Sequence, residues 1–310
     1  MSKSILVIGN GFDLDLGLKT KYSDFAISDY WPHVEFNKLP IIKSPVTKDE
    51  IFFDLGKEEL QSICLKDYME TIRTIVLEDK TWFDLEKDLL NFAVNIAVHN
   101  TFSTSKEDEI YFYNLQSGLQ KFIEEAQKNS INTIKNESCA ATILKANCFD
   151  MVYSFNYTDI NYLSKLVGSH HEMHCQHLHG KLSNNSIILG VDETSLPTGY
   201  EWLHKTSSRH YPHHDIYNSL VNANDIIFFG LSFGSIDFIY FERYLKELSS
   251  GKTIEETNKQ NITIVTKDNQ SQLAIKQKIR EMDVELRRLF EQTHLNFIIT
   301  DEKDDYVKLK

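Results

Sequence analysis

The chain has 310 residues and a net charge of −12 at neutral pH, from 45 acidic and 33 basic residues. That length suits one large domain or a domain with an insertion, and 41% hydrophobic residues are enough for a core. The acidic balance and the absence of a Lys/Arg-rich run argue against nucleic acid or an anionic membrane as a partner.

The cellular compartment is predicted from three features that the sequence lacks: a membrane span, a signal peptide and a CxxC pair. No apolar run approaches the ~20 residues that span a bilayer, so we expect no membrane partner. Residues 1–9 hold too short an apolar core for a signal peptide. The cysteines form no CxxC pair, which is typical of reduced thiols in a cytoplasmic protein.

An apolar run followed by Gly-Asn-Gly opens the chain. Residues 5–8 are apolar on both faces, as in a buried parallel strand. Gly9 and Gly11 allow a tight turn that brings backbone N–H groups close to a ligand, which predicts a nucleotide or phosphate cradle. The third glycine of a dinucleotide fingerprint is absent, and Asp13 adds a negative charge, so a plain tight turn is the alternative.

Strand and helix patterns alternate outside the middle of the chain. The strands predicted after the first are 149–155, 174–179, 186–191, 225–230, 262–266 and 295–300. Helices are predicted at 159–167 and 238–248, and one long helix carries the stripe Ile279, Met282, Leu286 and Leu289. We therefore expect a mainly parallel, Rossmann-like α/β sheet with helices on both faces.

Residues 31–147 have a different, helical periodicity. Two stripes recur at helix spacing: Leu85, Leu89, Phe92 and Ile96, and then Phe112, Leu115, Leu119, Phe122, Ile123 and Ala126. The sequence therefore predicts a Rossmann-like nucleotide-binding core formed by residues 1–30 and 148–310, with residues 31–147 as a large, mainly helical inserted subdomain.

Small or polar residues follow four of the predicted strands. Ligands of such sheets bind beyond the carboxyl ends of the strands, so we expect these residues to meet in one pocket. The candidate ligand-binding residues are Gly9, Asn10, Gly11, Phe12, Gly230, Ser232 and Asp237, and the candidate catalytic residues are Asp13, Asn156 and His179.

Each candidate also has a structural interpretation. Asn156, Thr158 and Asp159 are suited to capping the helix that follows them. Ser232 and Ser235 are suited in the same way to a helix that begins near Ile236. His179 can equally be a buried histidine bonded to a carbonyl group.

The histidines form two further groups in the sequence. His170, His171, His174, His177 and His179 surround Cys175, while His210, His213 and His214 lie in a predicted loop, either as lid residues or as polar loop residues without a role in the site. Two ligands on one face plus another residue can hold zinc, but no HExxH or CxxC pattern accompanies them, so a strand flanked by solvated histidines is favoured. In the segment 82–86, Glu86 either belongs to the first turn of a helix that Thr81 caps or faces the pocket.

The motifs together resemble the AbiH family of bacterial abortive-infection proteins. The segments that carry the resemblance are Gly9–Leu14, Leu18, Thr20–Phe25, Trp82–Glu86, Phe155–Thr158, His177–Gly180 and Gly230–Asp237. The resemblance implies a cytosolic protein that defends bacteria against phage, with a phage-derived trigger as an expected partner. It implies no particular reaction.

The order of these motifs is also similar to the sirtuin-type NAD-binding fold. That likeness implies that Asn156 contacts the NAD ribose, that His179 is the catalytic base, and that Gly230 and Ser232 belong to the late cofactor loop. The four-cysteine zinc module of sirtuin deacylases has no counterpart here, which argues against protein deacylation. Phe12 and Asp13 replace the small residues of the sirtuin glycine loop.

Three functions follow as hypotheses. The first is an effector that binds and hydrolyses a nucleotide such as NAD, with His179 as proton acceptor and no metal. The second is a metal-dependent phosphoesterase or nuclease with Asp13, His179 and Asp237 around Mg²⁺ or Mn²⁺. The third is a non-catalytic sensor of a nucleotide or a phage protein. A homo-oligomer is compatible with all three.

Overall fold

A computed structural model describes residues 3–32, 64–79, 84–99, 105–169, 171–192, 196–212, 214–234, 237–251 and 259–301. Its strands are β1 (Ser4–Ile8), β2 (Met151–Ser154), β3 (Cys175–His177), β4 (Asp225–Phe229), β5 (Asn261–Thr266) and β6 (His294–Ile299). All six belong to one parallel sheet, in the order β3-β2-β1-β4-β5-β6. This is the strand order of a Rossmann-type doubly wound sheet, so the predicted fold class is confirmed.

Helices connect the strands and also form the middle of the chain. They are α1 (Asn10–Leu16), α2 (Tyr22–Ala26), α3 (Leu65–Asp79), α4 (Leu85–His99), α5 (Ser105–Thr133), α6 (Cys139–Ala146), α7 (Ile160–Leu166), α8 (Ile216–Val221), α9 (Phe238–Ser249), α10 (Asn269–Glu281) and α11 (Leu286–Gln292). No helix in these described ranges is long and apolar enough to cross a membrane.

The chain divides into two compact units. The sheet belongs to the first unit, which comprises residues 1–21, 123–187 and 210–310. The second unit comprises residues 22–122 and 188–209, and it contains α2, α3, α4 and most of α5.

Apolar side chains cover both faces of the sheet because successive residues of a strand point to opposite sides. In β1, Ile5 and Val7 join the core formed with α8 and α9, whereas Leu6 and Ile8 join the core formed with α1, α6 and α7. This burial on both faces explains why β1 is apolar throughout its length.

Two predicted elements are wrong. Residues 186–191 form no strand of the sheet: Gly190 has φ +145°, and Val191 makes only an isolated bridge with His204. The long helix carrying Ile279 and Leu289 is two helices, α10 and α11, because Asp283 adopts a left-handed conformation with φ +57°. Asp tolerates that conformation better than most residues, and the apolar stripe is buried on both sides of the break.

Candidate functional site

The carboxyl ends of β1 and β4 mark the topological switch point of the sheet. Chain connections leave these two neighbouring strands toward opposite faces, since α1 packs on one core and α9 on the other. In sheets of this kind the ligand crevice opens at such a point. Candidate residues that follow β1, β2, β3 and β4 all lie in the first unit.

Close backbone contact joins the two strand ends at the switch point. The N–H of Gly9 donates to the carbonyl of Phe229 at 2.9 Å, and the N–H of Gly11 donates to the carbonyl of Gly230 at 3.0 Å. A Cβ on Gly11 would lie 2.6 Å from the Cα of Gly230. These glycines therefore permit the approach of two backbones, and their two N–H groups are already used within the protein.

The segment Gly9–Asp13 is the start of a helix, because α1 begins at Asn10 with Gly9 as its N-cap. The Asn10 side chain accepts a hydrogen bond from Thr20 Oγ1 at 2.6 Å and donates to the Thr20 carbonyl at 3.2 Å. Phe12 is fully buried and packs edge-on against Phe229, with ring centroids 5.1 Å apart. Phe12 thus belongs to the core beneath the turn.

A buried polar network joins the start of α1 to the end of β2. Asp13 is 1% exposed, and its two carboxylate oxygens accept hydrogen bonds from Asn156 Nδ2 and Thr158 Oγ1, each at 2.8 Å. Asn156 Nδ2 also donates to the Gly9 carbonyl at 3.0 Å. The helix cap is instead Asp159, which accepts from the backbone N–H groups of α7, so the capping interpretation of Asn156 and Thr158 is wrong.

Burial raises the pKa of Asp13 to about 7, although the hydrogen bonds from Thr158 and Asn156 act in the opposite direction. A carboxyl group with a pKa this high binds its proton more tightly in the folded than in the unfolded chain. Its contribution to stability is therefore largest below about pH 4 and declines as the pH rises to about 7.

Replacing Asp13 with asparagine should remove this pH dependence. Asn is neutral and similar in shape, and its amide can hydrogen-bond both Asn156 and Thr158. Between about pH 4 and pH 7, the unfolding free energy of the wild type should fall relative to Asp13→Asn by up to about 1.4 kcal/mol per pH unit. Thermal melts of both proteins at about pH 5 and pH 8 measure this, and a constant difference between them would contradict it.

The two histidines that follow or end β3 have different surroundings. His177 ends the strand half-buried, and its Nδ1 lies 3.1 Å from the Asn156 carbonyl. His179 is 4% exposed, with its ring 5.4 Å from that of Phe155 and 6.3 Å from that of Tyr157. Both histidines therefore adjoin the segment of chain that holds Asn156.

Aromatic contacts extend from this histidine pair to α9. Phe155 packs edge-on against Tyr240 at 5.1 Å, and Tyr240 packs against His214 at 5.2 Å. The sequence did not indicate Tyr240 as a site residue, and it offered His214 only as one of three loop histidines that could belong to a lid. The only signal was the position of Tyr240 on the helix that follows β4, in a chain rich in aromatic residues.

The segment after β4 is exposed at Ser232 and anchored at Phe233. Ser232 Oγ accepts from the Gly234 N–H at 3.2 Å, and Phe233 is buried with φ +50°, an unusual conformation for a large side chain. Asp237 is the N-cap of α9 without a capping hydrogen bond from its side chain. Ser235 and Ile236 lie outside the described residues.

Across the part of the chain that the structure describes, no group of three His, Cys, Asp or Glu side chains could hold a metal ion. His171 and His174 are exposed, and Cys175 is half-buried in β3. His170 and His213 lie outside the described residues.

Glu86 is buried within the second unit. Its Oε2 lies 3.1 Å from the ammonium group of Lys205, which is 1% exposed and also lies 3.2 Å from an oxygen of Asp192. Buried charges need such pairing, so Lys205 ties the segment 188–209 to α4. Thr81, Trp82 and Phe83 lie outside the described residues.

The fold and the strand-end residues define a Rossmann-like α/β protein with a buried polar network at its switch point. The sequence model of the family "Bacteriophage abortive infection AbiH" matches residues 5–258. The chain therefore belongs to the AbiH family. The family's description supports a role in abortive infection, in which the infecting agent is a bacteriophage. No curated protein and no solved structure gives a significant match.

Proposed function

We propose that this protein is an abortive-infection effector that binds a nucleotide at the carboxyl edge of its sheet and hydrolyses it, with NAD as the substrate. The first unit, which holds the sheet, supplies the nucleotide-binding core, and the helical second unit is the inserted subdomain. The protein acts in the cytoplasm, where a phage-derived trigger activates it. Depletion of NAD would then stop phage replication in the infected cell.

The Asp13–Asn156 contact is the observation that carries this proposal. A buried carboxylate costs free energy unless it is hydrogen-bonded, and buried polar groups of this kind concentrate at functional sites. Asp13 lies beside the switch point, where such sheets bind nucleotides, and its pKa of about 7 is far from that of an ordinary aspartate. The network fixes the amide of Asn156, and the backbone carbonyl of the same residue lies 3.1 Å from Nδ1 of His177. His179 packs against Phe155 and Tyr157, the two neighbours of Asn156 in the chain.

In the reaction, water attacks the ribose carbon that carries nicotinamide. The bond from that carbon to the nicotinamide nitrogen breaks, and its electron pair stays on the nitrogen. His179 accepts the proton that the water loses, which suits the near-neutral pKa of imidazole. Both N–H groups of the Asn156 amide donate within the protein, to Gly9 and Asp13, so its amide oxygen is the atom that positions the water or a ribose hydroxyl group. Asp13 orients this amide. Gly230, Ser232 and Asp237 line the part of the site that holds the rest of the nucleotide.

A metal-dependent phosphoesterase is the second candidate. It would use Asp13, His179 and Asp237 around one ion, but both oxygens of Asp13 are already engaged by Asn156 and Thr158. That engagement favours nucleotide hydrolysis without metal. A non-catalytic sensor, as a monomer or as a homo-oligomer, is the third candidate, and assays of catalysis separate it from the other two.

Purified protein incubated with NAD, with and without EDTA, tests the proposal. We expect release of nicotinamide that EDTA does not suppress. A parallel incubation with nucleic acid serves as the comparison, and cleavage there that requires a divalent metal would support the phosphoesterase. If neither substrate is turned over, even in extracts of phage-infected cells, the catalytic proposal is wrong.

A further inference from the structure

The backbone carbonyl of Asn156 receives two hydrogen bonds. Ser154 Oγ donates to it at 3.1 Å, and Nδ1 of His177 lies at the same distance. Because a carbonyl oxygen can only accept, Nδ1 of His177 must carry the proton. In the neutral imidazole, the other ring nitrogen, Nε2, is then a hydrogen-bond acceptor.

The imidazole of His177 is neutral near physiological pH. Burial lowers its pKa below the usual range, and the hydrogen bond to Asn156 opposes this only in part. Two charged side chains also act on it: Lys181 lowers the pKa, while Asp159 raises it. Among the residues that the structure describes, none forms a hydrogen bond with Nε2.

His177 thus has a fixed tautomer and a half-buried ring with one unused acceptor. Phosphate oxygens at neutral pH are themselves acceptors, so they cannot satisfy Nε2. The ribose hydroxyl groups of a nucleotide are donors and can. His177 ends β3, next to the strand that leads into Asn156, so it lies at the same edge of the sheet as the proposed site.

We infer that Nε2 of His177 is a ligand-binding acceptor that takes a hydrogen bond from a ribose hydroxyl of the nucleotide. This inference rests on the proposed function. It assigns His177 a role in recognition, separate from the transfer of a proton to His179. The contact would favour ligands with free ribose hydroxyls over those that present only phosphate.

Substitution of His177 with asparagine distinguishes the roles of the two ring nitrogens, Nδ1 and Nε2. The asparagine amide can still donate to the Asn156 carbonyl from near the position of Nδ1, but nothing replaces Nε2. We expect His177→Asn to bind NAD about 10-fold more weakly, with little change in melting temperature. His177→Ala should lose both affinity and stability, and exposed His171→Asn is the matched control.

Calorimetric titration with NAD at several pH values, with both proteins carrying His179→Ala so that NAD is not hydrolysed, gives the decisive comparison. Protonation of His177 adds a hydrogen to Nε2, so the advantage of the wild type over His177→Asn should shrink as the pH falls below the lowered pKa. Equal affinity of the two proteins at all pH values would overturn this inference alone. Failure of the wild type to bind NAD at any pH would overturn the proposed function as well.

Discussion

Alanine at either His179 or Asn156 is expected to slow NAD hydrolysis by ~10²–10⁴-fold, the usual effect of losing a positioned proton acceptor or the group that orients the nucleophile. Both variants should also lose phage protection. The His179→Ala protein should remain folded. Asn156→Ala removes donors to Asp13 and Gly9, so it should also cost about 1–3 kcal/mol of stability.

Each variant needs activity, phage protection and thermal stability measured together. His174→Ala is the matched control, because His174 lies just before β3 but is exposed. If Asn156→Ala is destabilised yet hydrolyses NAD and protects normally, Asn156 is a structural residue. Normal hydrolysis and protection by His179→Ala would remove the proposed proton acceptor.

Gly230→Ala is expected to unfold the protein. Gly230 has φ +66°, and a Cβ there would lie 2.3 Å from the backbone nitrogen of Phe12 and 2.5 Å from the Cα of Gly11. Backbone atoms cannot move aside as a flexible side chain can, and β1 and β4, which end at this contact, are held by their parallel pairing along the whole of both strands. The substitution should lower the free energy of unfolding by more than about 4 kcal/mol, which is a large share of the stability of most domains.

Gly168→Ala provides the matched control for the clash. Gly168 also has positive φ, +87°, but a Cβ there would meet no atom within 4 Å. Its substitution should cost only about 1 kcal/mol, the conformational penalty of a left-handed residue. Expression yield, circular dichroism and chemical denaturation compare the two variants, and similar stability for both would show that the contact at Gly230 is not tight.

Apolar periodicity was sufficient to predict most of the sheet. The strands β1, β4, β5 and β6 lie within one or two residues of their predicted positions, because a strand buried on both faces has an apolar run that few other elements share. Residues 186–191 have a similar run but lie outside the sheet. Burial in a loop and burial in a strand require the same residues, so the pattern alone cannot separate them.

The contacts of the site were beyond prediction from local sequence. Asn156 and Asp13 are 143 positions apart, and a polar residue after a strand is equally typical of a helix cap. The roles of His177 and Tyr240 likewise depend on which strands are neighbours. That order became known only with the sheet. Gly9 and Gly11, by contrast, could be singled out because they follow an apolar strand as in a phosphate-binding turn, and Asp13 because its charge departs from that pattern.

The central position of β1 has a consequence for biosynthesis. β1 pairs with β2 and β4, and Lys3 hydrogen-bonds Asn224, which follows it by 221 positions. At roughly 10 residues per second, an apolar strand made first would wait about 20 s for its second neighbour to leave the ribosome. Sheets that depend on such distant pairing also fold slowly. Production of this protein should therefore depend on chaperones and on low growth temperature, since an apolar strand stays unpaired on one side until β4 has been made.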